Sequence, residues 1–353
     1  MSIAYYLKMR LYWFFNTALG KSILKLLSGF VYVKGLSEGL SKNIVNIRNK
    51  LPFIISITID AESGYVKKND HRVWQKSDPN AYIGFYKGIE NWRALLNKHN
   101  SKATFFLSTN CFNAKGEEYK KIIQQLKLLL KEGHEIGLHL HPDSDLALQA
   151  SLGRRFHSTS AKFFSSEEIS ELIAEGKRLI KRHLGIDAVS FRWGNWALST
   201  DAVSALEKNG FKIDSSATPG IKGHQHSGMS YDWSNVAFHY PWKLSIIDYQ
   251  NTSHQNSSVL EIPIATFNFL GLGLRADPAN SALLSASFEH YYKNADRSKK
   301  KFVFVVISHS IESAYEDGSP AKVVGVMEEF IIHSKKHSDV KFMGLADAYK
   351  LIS

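Results

Sequence analysis

The sequence predicts a parallel α/β fold, and three observations carry that reading. Strand-like and helix-like segments alternate from Leu51 to Met343, the pattern of a parallel sheet with covering helices. The first strand, Leu51 to Asp60, is a nearly continuous apolar run through Phe53, Ile54, Ile55, Ile57 and Ile59, as in a sheet buried on both faces. About eight strands with intervening helices suit one (β/α) barrel of ~250 residues. An open doubly wound sheet is the competing topology. Neither a glycine-rich dinucleotide fingerprint nor a P-loop follows any strand.

The elements follow in order. A helix is expected around Tyr86 to Lys98, a strand at Ala103 to Ser108, and an amphipathic helix from Tyr119 to Glu132 that Gly133 stops. His134 to His141 is the third strand. Ser165 opens a helix with Glu168 three residues on, a capping-box spacing, and that helix runs to about Leu184. Val189 to Trp193 is a strand. Ser199 caps a helix that stops at Gly210. Strands follow at Phe211 to Ser215, Leu260 to Ala265 and Phe302 to Ser308, then a helix near Val323 to Lys336 and a last strand at Val340 to Met343. Residues 216–260 form a long polar segment, a type often functional.

Two domains are expected: a helical extension over residues 1–45 and a barrel over 46–353. The first 35 residues are apolar, aromatic and basic, with Lys8, Arg10, Lys21 and Lys25 interrupting the apolar run. The uncharged stretch Leu11 to Gly20 is too short to span a bilayer, which needs about 20 apolar residues, and no cleavage site of a secretory signal follows it. Residues 1–35 therefore read either as an interfacial helix in peripheral contact with a membrane or as a helix packed on the barrel. The expected location is cytoplasmic, at the inner face of the cytoplasmic membrane if that contact is made.

A single cysteine, Cys111, excludes an intrachain disulfide and a cysteine-based zinc cluster, so any metal must use His and carboxylates. The net charge of +11 favours anionic partners or serves solubility. The lysines are scattered and no nucleic-acid motif is present, so no nucleic-acid partner is expected.

Chemistry-bearing residues gather at the C-terminal ends of the strands, where such folds carry their sites. The first strand ends in Asp60-Ala61-Glu62, the third in His139-Leu140-His141, the fourth in Arg192-Trp193-Gly194-Asn195-Trp196, the next in Asp214-Ser215-Ser216, and a late one in Ser308-His309. Strand periodicity turns His139 and His141 to one side, and likewise Asp60 and Glu62. Two histidines and a carboxylate leave an open position on a metal, the pattern of catalytic zinc. A second carboxylate can act as base, Arg192 can orient it through a charge-assisted pair, and His309 can protonate a leaving group. The implied reaction is metal-assisted hydrolysis of an amide or ester.

These blocks, together with Gly133 to Pro142 and Tyr231-Asp232-Trp233, resemble the polysaccharide deacetylases of the NodB-homology type, a carbohydrate esterase family. The resemblance covers roughly Pro52 to Met343. It implies a distorted (β/α) barrel of about seven parallel strands and a divalent metal, usually Zn2+. It makes Asp60 the catalytic base acting on a metal-bound water, His139 the first histidine ligand, Arg192 the arginine that positions the base, and His309 the acid. Two positions depart from the family pattern. A second aspartate often follows the first; here Ala61 stands there, and Glu62 is the substitute ligand. The second histidine usually lies four residues after the first; here that position is Asp143, and either His141 or Asp143 completes the set, with His141 favoured.

Asp232 or Asp214 supports His309, Asp214 having a structural alternative after its strand. His134 reads as a strand-start histidine satisfied by backbone, and His224, His226 and His239 as surface residues. Trp193, Trp196, Tyr231 and Trp233 are the candidate sugar-stacking residues; with Trp242 they also suit the core, and two of the five are expected there. The expected function is removal of an acetyl group from an N-acetylated sugar of a surface polysaccharide or its precursor. The alternatives are hydrolysis of a small non-sugar amide on the same barrel, or an inactive glycan-binding or membrane-associated protein. The sugar, the acyl position, N- versus O-deacetylation and the oligomeric state are not encoded in these motifs.

Overall fold

The computed structural model describes Val31–Tyr32 and residues 51–67, 75–76, 78–224, 230–236, 239–269, 272–280, 282–298 and 301–353. The central sheet uses strands β1 (Phe53–Ala61), β2 (Ala103–Ser108), β3 (Glu135–Leu140), β4 (Ser190–Trp193), β5 (Ile213–Asp214), β6 (Trp242–Lys243), β7 (Leu260–Glu261), β8 (Val303–His309) and β9 (Val340–Phe342). Their order is β6-β7-β5-β4-β3-β2-β1-β8, with β9 pairing the start of β1. Every pair from β7 to β8 is parallel, and only the short edge strand β6 runs antiparallel. The result is a curled, mostly parallel sheet of half-barrel form. A single bridge from Ile264 to Val305 draws the chain after β7 against β8. Eight of the nine strands are parallel, seven of them consecutive in the curl, in agreement with the expected architecture.

All nine residues of β1 are buried, because helices cover one face of the sheet and the other lines the interior. The covering helices are α1 (Ile89–Lys98), α2 (Gly116–Lys131), α3 (Leu146–Leu152), α4 (Ser166–Leu184), α5 (Thr200–Lys208), α6 (Ala282–Asn294), α7 (Lys322–Ser334) and α8 (Leu345–Ile352). The Ser165–Glu168 capping box forms as expected, Glu167 and Glu168 occupy the first turn, and Gly185 ends α4 at φ 75°; acids at the start and bases at the end complement the helix dipole. Ser199 stands at the N-cap of α5, but its hydroxyl makes no cap hydrogen bond.

Helices α3, α6 and α8 were not expected from the pattern. Helix α3 is short and capped by Asp145, whose carboxylate accepts from the Leu148 amide at 2.9 Å. Strands β5 and β7 are two residues long, shorter than the apolar runs around them. Most of the expected helical extension lies outside the described residues. The two that are described, Val31–Tyr32, pair antiparallel with Phe269 and Asn268. No helix of the described residues is long and apolar enough to cross a membrane.

Register aligns the strand ends. Asp60 is the partner of His309 across β1 and β8, and Ser108, His139 and Arg192 are successive partners across β2, β3 and β4. Gly137 sits in this fabric where a Cβ would lie 2.4 Å from Ser190 Oγ and 2.8 Å from its carbonyl oxygen. Gly325, exposed on α7, has open space around it. Gly137→Ala is therefore expected to cost about 1–3 kcal/mol by overpacking, while Gly325→Ala gains about 0.5–1 kcal/mol through helix propensity. Urea unfolding of both variants checks the pair; a Gly137→Ala midpoint equal to or above wild type contradicts it.

Candidate active site

Arg192 anchors the site. It is wholly buried at the end of β4, and each end of its guanidinium has a partner. Nη1 donates to Asp60 Oδ1 at 2.7 Å, Nε to the Ser215 carbonyl at 2.7 Å, and Nη2 to Ser215 Oγ at 3.0 Å. The guanidinium carbon lies 4.3 Å from the ring centroid of Phe106, so a cation–π contact covers it. Asp60 is 2% exposed. Its second oxygen, Oδ2, is 3.8 Å from His139 Nε2 and 3.8 Å from His309 Nε2.

Beside it, Glu62, His139 and His141 bring their ligand atoms within 4.8 Å of one another. Glu62 Oε1 is 2.8 Å from His139 Nε2 and 3.4 Å from His141 Nε2. The tautomers follow from the outer partners. His139 Nδ1 faces the Arg192 carbonyl at 3.0 Å; a carbonyl only accepts, so Nδ1 carries the hydrogen. Thr159 donates its single hydroxyl hydrogen to Asp143 Oδ1, so it accepts from His141 Nδ1 at 3.3 Å. Both Nε2 atoms, with their lone pairs, then converge on a carboxylate oxygen. Three acceptors facing one another require a cation or extra protons between them. This donor set fits a divalent metal of the kind that imidazole and carboxylate bind.

The electrostatics agree. Burial pushes Glu62 up, but His141 and His139 together hold it well below the usual carboxylate range. Burial lowers His141, and Glu62 with Asp143 and Asp60 outweighs that and raises it. Asp143, the other candidate for the ligand set, stands behind His141 through Thr159 rather than in the cluster. Gly194 makes the room: a Cβ there would lie 2.7 Å from His141 Nε2 and 2.5 Å from the Leu140 carbonyl oxygen.

His309 faces Glu312, with Nδ1 3.3 Å from Oε2. The same carboxylate oxygen accepts from the His309 amide and from Ser308 Oγ, at 3.0 Å each. Burial lowers the imidazole, but the Glu312 charge and contact, with Glu62 and Asp60, raise it to about 10. Sequence reasoning named Asp232 or Asp214 for this support, and neither serves. Asp232 pairs with Lys222 at 2.5 Å and caps Ser234. Asp214 binds the Ser216 hydroxyl at 2.7 Å in a structural turn. Glu312 was missed. Its signal was the spacing to His309, a residue and an acid three positions later at a strand end, which forms a capping box here.

Of the five aromatic residues, two were expected in the core and three are there. Trp193 and Trp233 are fully buried; their indole N–H groups donate to the Thr159 and Trp196 carbonyls at 2.6 and 2.9 Å. They are core, as is Trp242. Trp196 and Tyr231 keep 8% and 9% of their surface and pack edge to face at 5.3 Å. Arg275 covers the Trp196 ring at 3.7 Å and donates to Tyr231 Oη at 3.1 Å. Asn195 and Trp196 adopt φ of 50° and 56°, a conformation that is costly for a tryptophan and concentrates at functional sites. His134 is buried and its Nδ1 accepts from the Ala103 amide at 3.3 Å, as expected. His239 is buried against Tyr291 Oη rather than at the surface. His226 lies outside the described residues, as do the surroundings of the His224 side chain.

Comparison with known proteins bears on this arrangement. The polysaccharide deacetylase family model matches residues 83–213, a span that holds His139, His141 and Arg192 but neither Asp60 nor His309. No curated protein matches the sequence. Among solved structures, a putative polysaccharide deacetylase from Mycobacterium smegmatis is similar at TM-score 0.55 and 16% identity, over 89% of this chain and 94% of that one. PuuE allantoinase is similar at TM-score 0.55 and 12% identity, over 86% and 91%. A probable polysaccharide deacetylase from Pseudomonas aeruginosa PAO1 is similar at TM-score 0.53 and 13% identity, over 84% and 90%. At these identities the likeness is one of fold. Residues 83–213 thus match the polysaccharide deacetylase family, on the fold that solved members of that family share with this chain.

Proposed function

We propose that this protein is a metal-dependent deacetylase acting on an N-acetylated sugar of a surface polysaccharide or its precursor. The observation that supports it is the convergence of two imidazole Nε2 atoms on Glu62, beside a base and an acid both within reach. Glu62, His139 and His141 would hold the cation, which when bound supplies Lewis acidity and lowers the pKa of water. Asp60 presents Oδ2 toward the cluster, while Arg192 fixes Oδ1. It takes the proton of the water that attacks the amide carbonyl carbon. His309, whose Nε2 lies 3.8 Å from Asp60 Oδ2, gives its proton to the nitrogen as the C–N bond breaks, releasing acetate and a free amine. Glu312 holds His309 protonated for that step.

A second reading, hydrolysis of a small non-sugar amide, draws support from the burial of Trp193 and Trp233 and the cover of Arg275 over Trp196. These leave less aromatic face for a sugar chain than the sequence promised. Acetate release from N-acetylated oligosaccharides, set against ring opening of allantoin, separates the two.

Asp60→Asn is expected to lower kcat by about 10²–10⁴-fold, the range for a lost general base, and chelation is expected to abolish the wild-type rate with recovery on adding zinc. Steady-state acetate release measures both; full activity in the variant, or indifference to chelator, rejects the mechanism.

The pH profile tests Glu312. A group whose pKa is raised stays protonated until the pH passes that value, so His309 keeps its proton through neutrality and loses it on the alkaline side. Glu312→Gln removes the strongest raising influence. The alkaline limb of kcat/KM should then move to lower pH, and further than in Asp60→Asn, which removes a smaller raising charge. An unmoved limb in Glu312→Gln assigns the acid elsewhere.

A further inference from the structure

A second cluster of ligand-type side chains shares no residue with the strand-end site. His333 is in the last turn of α7, and His337 follows four residues later. The chain keeps turning past the helix end, since the Lys336 amide donates to the His333 carbonyl at 3.2 Å and the His337 amide to the Ser334 carbonyl at 3.1 Å. The two imidazoles thus stay on one side. Glu289, from the neighbouring helix α6, meets both: its Oε1 is 2.8 Å from His333 Nε2 and 3.3 Å from His337 Nε2. The three ligand atoms lie within 4.8 Å of one another.

Ring packing fixes the imidazole directions. His337 lies 4.0 Å from the Tyr292 ring and 5.5 Å from Phe288, and His333 lies 6.0 Å from Phe288. All three side chains are partly open to solvent, at 36%, 25% and 27% exposure for His333, His337 and Glu289, so an ion can enter from solution. Lys293 approaches the other Glu289 oxygen at 3.5 Å but is 70% exposed and can swing aside. Two histidines at i and i+4 with a carboxylate from a second element form a set that zinc, nickel and copper accept, with water completing the shell.

We propose that Glu289, His333 and His337 form a second site for a divalent transition metal of the zinc type, which clamps α7 to α6. One carboxylate oxygen shared by two imidazoles is replaced by one cation shared by three ligands. The α6–α7 contact then tightens with metal concentration, because an ion that binds only the folded state raises its stability.

Equilibrium dialysis of the full chain against zinc, with metal analysis, tests this. The His333→Asn/His337→Asn variant should retain one zinc per chain fewer than wild type, and His139→Ala/His141→Ala should keep that zinc. Glu289→Gln, nearly isosteric, should weaken the same site at least tenfold. The clamp is overturned if His333→Asn/His337→Asn and Glu289→Gln both bind zinc as wild type does. Failure of the strand-end metal reading looks different: wild type then binds one equivalent and His333→Asn/His337→Asn none.

Discussion

A buried arginine organises this molecule. Arg192 carries a full charge with no surface exposed, which is costly unless every donor is paired. The pairing draws on much of the curl: Asp60 from β1, Ser215 from the end of β5, and the ring of Phe106 from β2. Its own carbonyl sets the tautomer of His139 on β3. Four strands are thereby tied to one residue, and Asp60 and His139 are oriented by its opposite ends, side chain and carbonyl. The same dependence makes the site brittle. Removal of either partner of such a pair strands a buried charge, at a cost of about 3–5 kcal/mol, so stability and site geometry are lost together.

Much of this was legible in the sequence, for a physical reason. A parallel strand buried on both faces must be apolar along its length and can end in polar groups only where it leaves the sheet. Runs such as Phe53 to Ile59 therefore mark both the strand and the position of its functional end. Helix α4 was readable because its cap and its stop are local chemistry. What failed was non-local. Strands β5 and β7 shrink to two residues because their neighbours in the curl, not their own propensity, decide where pairing stops. Helix α6 lacks strong end signals, and α3 is too short for periodicity to speak. The supporting acid of His309 was sought at a distance, at Asp214 or Asp232, because a partner carboxylate can come from anywhere in a fold; it lies three residues away in the same turn. The tryptophans were ambiguous for the opposite reason, since a large ring suits a core as well as a cleft, and burial alone decides.

The two departures from the family pattern become intelligible through strand geometry. Ala61 is the last residue of β1, and it is fully buried in the apolar core. Side chains alternate along a strand, so position 61 looks away from the face that Asp60 occupies. Glu62 has returned to that face just beyond the strand, with a longer side chain whose Oε1 reaches both histidines. The second departure has the same logic. His141 is two residues after His139 and so keeps its face, and Gly194 on the next loop leaves the space for its ring. Asp143 falls one turn further on and reaches the cluster only through the Thr159 hydroxyl. There it decides which nitrogen of His141 carries the hydrogen, and so leaves Nε2 with the lone pair that a cation needs. With both departures in place, one carboxylate and two imidazoles still meet, supplied by Glu62, His139 and His141.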